Sequence, residues 1–189
     1  MNELMLHRGA IEVKRHELEL VPLPEETESY QPVSHYHLAD RLLTIGRDIL
    51  TDVEMVRTGI NKRLLAKWGG TVLCNIHPSG EENSPSVGKT RAESGIEEAL
   101  GSRNNIGIVA IGNAPTALLK VIDLLGKDPP PQPLPLVIGV PVGFVKALES
   151  KALLSAQTFP FITNLSRKGG TPAAVAIVNA LLTMAAEED

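Results

Sequence analysis

The chain has a single cysteine, Cys74, among 189 residues, so no disulfide can form within it. That scarcity suits a reducing compartment, and a cytoplasmic protein is expected. Aromatic residues make up only 3%, so a core must be packed from Ile, Leu, Val and Ala. No stretch approaches the roughly 20 apolar residues a membrane helix requires. The opening MNELMLHRGAIEVKRHELEL carries charges where a secretory signal would have its apolar centre. The formal net charge of -4 argues against nucleic acid as the main partner. With 43% hydrophobic residues the chain can still bury an ordinary core.

Several chemical fingerprints are also missing. The run GKT at Gly88–Thr90 ends like a phosphate-binding loop, but the required first glycine would fall on Asn83, and Pro85 interrupts the loop. No G-x-G-x-x-G is present. His35 and His37 are two residues apart, which separates them on a helix, and no cysteine lies near, so no zinc set forms. Cys74 sits within the apolar run TVLCNI, where a thiol packs as a small apolar group.

What is there is alternation. Residues 1–33 form a divergent N-terminal segment with a short charged alternation and the proline-flanked loop LPEETESYQP. From Ser34 onward a single domain, 34–189, is expected. SHYHLADRLLTIGRD places Leu38, Leu42, Leu43 and Ile45 at helical spacing between a Ser34 cap and a Gly46 stop. ILTDVEM reads as a strand, TGINKRLLAKW as a helix with Trp68 in the core, and TVLCNI as a second strand. After the polar loop HPSGEENSPSVGKT comes the helix RAESGIEEALGS. Then IGIVAIG, PLVIGVPV and FPFITNL read as strands, with helices expected from about Pro115, from about Gly143, and from Thr171 to Met184. GKDPPPQPLP is a proline-stiffened connector too short to divide domains. Alternating strands and helices predict a mostly parallel sheet covered on both faces, a Rossmann-like α/β fold.

Right-handed crossovers put every strand-to-helix loop on one edge of such a sheet. Those loops supply Asp52 and Glu54; Asn113, Ala114, Pro115 and Thr116; Gly139, Pro141 and Gly143; and Arg167 before Thr171. Helix amino ends there offer free N–H groups and positive partial charge. Lys89, Arg91, Lys146, Lys151, Arg167 and Lys168 lie in or just after the same loops, so an acidic chain places cations at this edge. A ligand with several carboxylates or phosphates suits it. Read loop by loop, the same residues would only cap helices and solvate a surface.

The segments TDVEMVRTGI, GKTRAESGI, VAIGNAPTALL, VIGVPVGFVKALESK and SRKGGTPAAVAIVNALL, in this order from about Ser34 to the C-terminus, resemble the precorrin-8X methylmutase family of cobalamin biosynthesis. The resemblance implies a parallel α/β fold, a homodimer and a large tetrapyrrole bound at the strand ends. It implies migration of a methyl group between adjacent ring carbons, giving hydrogenobyrinate or, from the cobalt substrate, cobyrinate, with no separate redox cofactor. Thr90 and Arg91 match the family's Thr-Arg pair, which makes Arg91 a carboxylate clamp; Arg167, in the last strand-end loop, is a second candidate for ring carboxylates. Asn113 and Thr116 become hydrogen-bond partners. Ala114, Pro115, Val142 and Phe144 become apolar surface for the macrocycle.

The family pattern includes an Arg-x-x-His segment whose histidine is the general acid. This sequence contains no such run, and Arg15 stands where a substrate-contacting serine is expected. The proton donor is therefore unassigned, with His35, His37 and His77 as candidates because an unperturbed histidine titrates near pH 6.5. The alternatives are a tetrapyrrole-binding relative or partner subunit without turnover, and a nucleotide-phosphate enzyme on the same fold type.

Overall fold

The computed structural model describes residues 35–76, 89–127 and 134–188, with side chains from residue 38 onward in the first helix. The expected N-terminal elements, the Ser34 cap, His77 and most of the 77–90 loop lie outside the described residues.

The first helix, α1 (His35–Thr44), buries Ala39, Leu42 and Leu43 on one side. It ends where Gly46, at φ 75°, lets its own N–H reach the Leu43 carbonyl and that of Arg47 reach Leu42, a Schellman-type stop. Ile45 lies beyond the helix and is exposed, so it is not part of the expected apolar stripe.

Strand β1 (Asp48–Thr51) is shorter than the expected ILTDVEM run. Asp52 and Val53 form the turn after it, and Glu54 and Met55 open helix α2 (Glu54–Gly59), where Val56 turns into the core while Glu54 and Met55 face outward. A short helix α3 (Lys62–Leu65), capped by the Asn61 side chain on the Leu64 N–H, and a 3₁₀ turn (Ala66–Trp68) complete the segment. Trp68 packs partly buried against the core, as expected. Strand β2 (Val72–Cys74) follows and ends on Cys74, so the thiol is half-buried at the strand terminus and not mid-strand.

Beyond β2 come α4 (Arg91–Ser102), β3 (Ile106–Ile111), α5 (Pro115–Leu125), β4 (Leu136–Gly139), α6 (Ala147–Ser155), β5 (Phe161–Thr163) and α7 (Thr171–Glu188). Pro115 occupies the first turn of α5, where a missing N–H is harmless. Helix α6 starts at Ala147, later than the expected Gly143. Gly143 at φ 148° and Lys146 at φ 61° hold the preceding turn outside helical geometry. Helix α7 runs on past Met184 to Glu188.

Among the described residues all strand pairs are parallel, in the order β2-β1-β3-β4-β5. Ile49 lies level with Val72 on one side and Ile108 on the other, and Val137 with Phe161. Helices α1, α2 and α7 cover one face over Ile49, Ile108, Ala110, Leu136 and Ile138. Helices α4, α5 and α6 cover the other over Leu50, Val109, Ile111, Val137 and Phe161. Among the described residues, Phe159 and Phe161 are the fully buried aromatics, and Trp68 packs partly buried against an otherwise aliphatic core. Among the described residues, no helix is long and apolar enough to cross a membrane.

Candidate functional site

In this strand order the chain leaves β1 in one direction and β3 in the other. A crevice therefore opens between their carboxyl ends, the place where doubly wound sheets bind ligands. Asp52 follows the last residue of β1 at this switch point and is only 1% exposed. Its Oδ1 accepts the Gly112 N–H at 3.0 Å, and its Oδ2 accepts those of Asn113 and Ala114 at 2.7 Å each. One carboxylate thus sets the whole turn after β3. Burial raises its pKa, and the N–H groups of Ala114, Gly112 and Asn113 oppose that rise. The oxygens of Asp52 are engaged with the backbone, so it shapes the edge from beneath. Glu54, by contrast, is exposed and bonds the Arg57 Nε at 2.7 Å.

The next helix starts are laced together. The Thr90 hydroxyl accepts the Glu93 N–H, and the Glu93 carboxylate accepts that of Thr90, a complete capping box. The same Thr90 hydroxyl lies 2.9 Å from that of Thr116 in the first turn of α5. Two helix amino ends and the residues Thr90, Arg91, Ala114, Pro115 and Thr116 are thereby brought into one neighbourhood. Asn113 and Arg91 are exposed there.

On the far side of β3, the turn after β4 has Pro141 buried, Val142 partly exposed and Phe144 standing out at 86% exposure. It joins the turn after β5: the Gly170 N–H donates to Val140 O at 2.8 Å and the Gly143 N–H to Arg167 O at 3.4 Å. Arg167 and Lys168 are exposed.

The expected row of cations is redistributed. Lys89 pairs with Glu97 on α4 at 2.5 Å, and Glu97 also meets Lys120 of α5. Lys151 is 0% exposed. Its Nζ donates to Lys168 O at 2.8 Å and to the Asn164 side-chain oxygen at 3.3 Å, so it holds a loop from within the fold and does not stand at the surface. Burial lowers its pKa to about 8.

Sequence reasoning missed Asn164, which is buried at the end of β5 and donates to Ser166 Oγ and Lys168 O. Its position directly after a strand, as Asn113 follows β3 by one glycine, was the available signal. His35 and His37 lie in α1 with side chains outside the description. The described residues contain no cluster of His, Cys, Asp and Glu able to hold a metal ion.

The strand order and the switch-point turn define a doubly wound α/β protein of flavodoxin-like topology. Within that class the relationship is specific. The family model described as precorrin-8X methylmutase matches residues 34–184, and the chain belongs to that family. A cobalt-precorrin-8 methylmutase of Priestia megaterium is 44% identical over 141 residues, covering 74% of this chain and 61% of that protein. One from Salmonella typhimurium is 42% identical over 139 residues, covering 71% and 61%. The chain therefore spans about six-tenths of the length of these relatives. Among solved structures, a precorrin-8X methylmutase related protein aligns with TM-score 0.70 at 30% identity, over 79% of this chain and 77% of that one. A precorrin-8X methylmutase from Thermus thermophilus aligns with TM-score 0.67 at 32% identity, over 81% and 74%.

Proposed function

We propose that this chain is a methylmutase of corrin biosynthesis, which binds a precorrin-8 tetrapyrrole and moves a methyl group between adjacent ring carbons. The product is hydrogenobyrinate, or cobyrinate from the cobalt-bearing substrate. The observation that carries this reading is the family match across residues 34–184, which includes both turns of the switch-point edge. Arg91 and Arg167 hold ring carboxylates through charge-assisted bonds. Asn113 and Thr116 donate to the rim, Thr90 and Gly143 shape its walls, and Ala114, Pro115, Val142 and Phe144 lie against the macrocycle. Pro141 stiffens the turn that carries Val142. The protein acts in the cytoplasm as a homodimer, a reading supported by the exposed apolar Val142, Phe144, Val145 and Leu148 around one turn.

General acid catalysis contributes typically about 10²–10⁴-fold, so binding and turnover are separable. A second reading, binding without turnover, is favoured by the absence of an Arg-x-x-His run from the sequence. Titration with hydrogenobyrinate, followed by visible absorption, tests the common part. Tight binding with a spectral shift is expected, and Arg91→Ala should weaken it about 10- to 100-fold, the worth of a hydrogen bond to a charged group. No binding at tens of micromolar would remove the tetrapyrrole reading. Turnover of precorrin-8X by the wild type, and its loss in one of His35→Ala, His37→Ala or His77→Ala, would decide for the isomerase and name its acid.

A further inference from the structure

The amine of Lys151 is the most unusual group in the described fold. It is fully enclosed, and no carboxylate pairs with it among the described residues. Enclosing an ammonium without a counter-ion is costly, and an apolar side chain would fill the same space more cheaply. The bonds it makes show what the amine contributes.

We propose that Lys151 is a positioning residue for the ligand edge, presenting Arg167 by fixing the loop from Asn164 to Gly170. The Lys168 carbonyl accepts from both Lys151 Nζ, at 2.8 Å, and Asn164 Nδ2, at 2.9 Å. Asn164 also donates to Ser166 Oγ at 2.8 Å, and that hydroxyl oxygen accepts the Lys168 N–H at 3.2 Å. Lys151 in turn satisfies the Asn164 side-chain oxygen, so the loop is wound around one buried hub. From the hub the constraint passes outward through backbone. Gly170 donates to Val140 O, and the Arg167 carbonyl accepts from Gly143. Gly169, at φ 146°, leaves room for the Val140 carbonyl where a side chain would collide with it. The exposed Arg167 therefore projects from a loop whose backbone is already ordered. Ordering a free loop would otherwise be charged against binding.

This inference rests on the tetrapyrrole reading for its ligand, and the experiment separates the two. Hydrogenobyrinate is titrated into wild type, Lys151→Met, Arg167→Ala and the double variant. Each single variant should bind on the order of 10- to 100-fold more weakly, and the double variant no more weakly than the weaker single. Multiplied losses would mean that Lys151 does not act through Arg167, and unchanged affinity in Lys151→Met would likewise overturn the proposal. In parallel, hydrogen exchange at the Lys168 and Gly170 amides should accelerate in Lys151→Met while the β3 amides stay protected. Unaltered exchange there overturns the proposal even if the wild type binds no tetrapyrrole, an outcome that removes only the proposed ligand. If Lys151→Met does not fold, Asn164→Ala, which keeps the amine and removes one of its two acceptors, is read in both assays with the same expectations.

Discussion

Replacing Asp52 tests how the switch point is held. In Asp52→Ala the N–H groups of Gly112, Asn113 and Ala114 lose their acceptor together. Gly112 is buried, and an orphaned buried N–H costs about 1–3 kcal/mol. Asn113 is exposed and Ala114 half-buried, so their N–H groups regain water and lose only about 1 kcal/mol between them. Relief of the desolvated carboxylate returns part of this, and the net expectation is a loss of roughly 1–3 kcal/mol. For a chain of this length that lowers Tm by on the order of 5 °C. Urea unfolding at fixed protein concentration measures it. A change within about 0.5 kcal/mol of wild type, the range of an ordinary surface substitution, would refute the idea that this carboxylate organises the turn. Asp52→Asn adds a pH arm. The folded pKa of Asp52 is raised above 3.8 by burial, so the folded state holds the proton over a window where the unfolded state has released it. The group's contribution is thus fully present below the unfolded pKa and is lost as pH rises through the folded pKa. The stability gap between wild type and Asp52→Asn should accordingly narrow as pH rises through that window.

Lys151 gives the opposite slope. Its folded pKa of about 8 lies below the ordinary 10.5, so between those values the unfolded state binds the extra proton and wild-type stability rises with pH. Relative to Lys151→Met the gain should approach roughly 3 kcal/mol across the window, and a flat difference in urea unfolding from pH 8 to pH 10.5 would contradict it. Gly95→Ala should destabilise although alanine favours helices, because the added Cβ would meet the Asn75 carbonyl beside α4. A loss of about 1–3 kcal/mol by thermal melting is expected for such overpacking, and a stabilised variant would show that the helix can shift.

Much of the architecture was legible because burial is written into local periodicity. The uninterrupted apolar runs at Ile106–Ile111 and Leu136–Gly139 suit strands covered on both faces, and both are buried throughout. Pro115 announced its helix start through chemistry confined to one turn. The start of α6 was not legible. GFVK has the composition of a first helical turn, yet Lys146 takes a left-handed conformation that its side chain does not advertise. The acidic end of ILTDVEM was misplaced for a related reason. Its alternation fits a strand until Val56 must face the core from α2.

The sequence by itself determined the alternating elements, the aliphatic core and the loops gathered at one edge, since each depends on neighbours a few residues away. Only the tertiary structure decided the order β2-β1-β3-β4-β5, and with it which loops flank the crevice. It also decided the direction of the charged side chains. Asp52 meets Gly112 across 60 positions and Lys151 meets Lys168 across 17. A carboxylate or an ammonium reads the same in sequence whether it will face a ligand or a backbone amide. The choice is made by desolvation and by the groups that packing brings within hydrogen-bond reach.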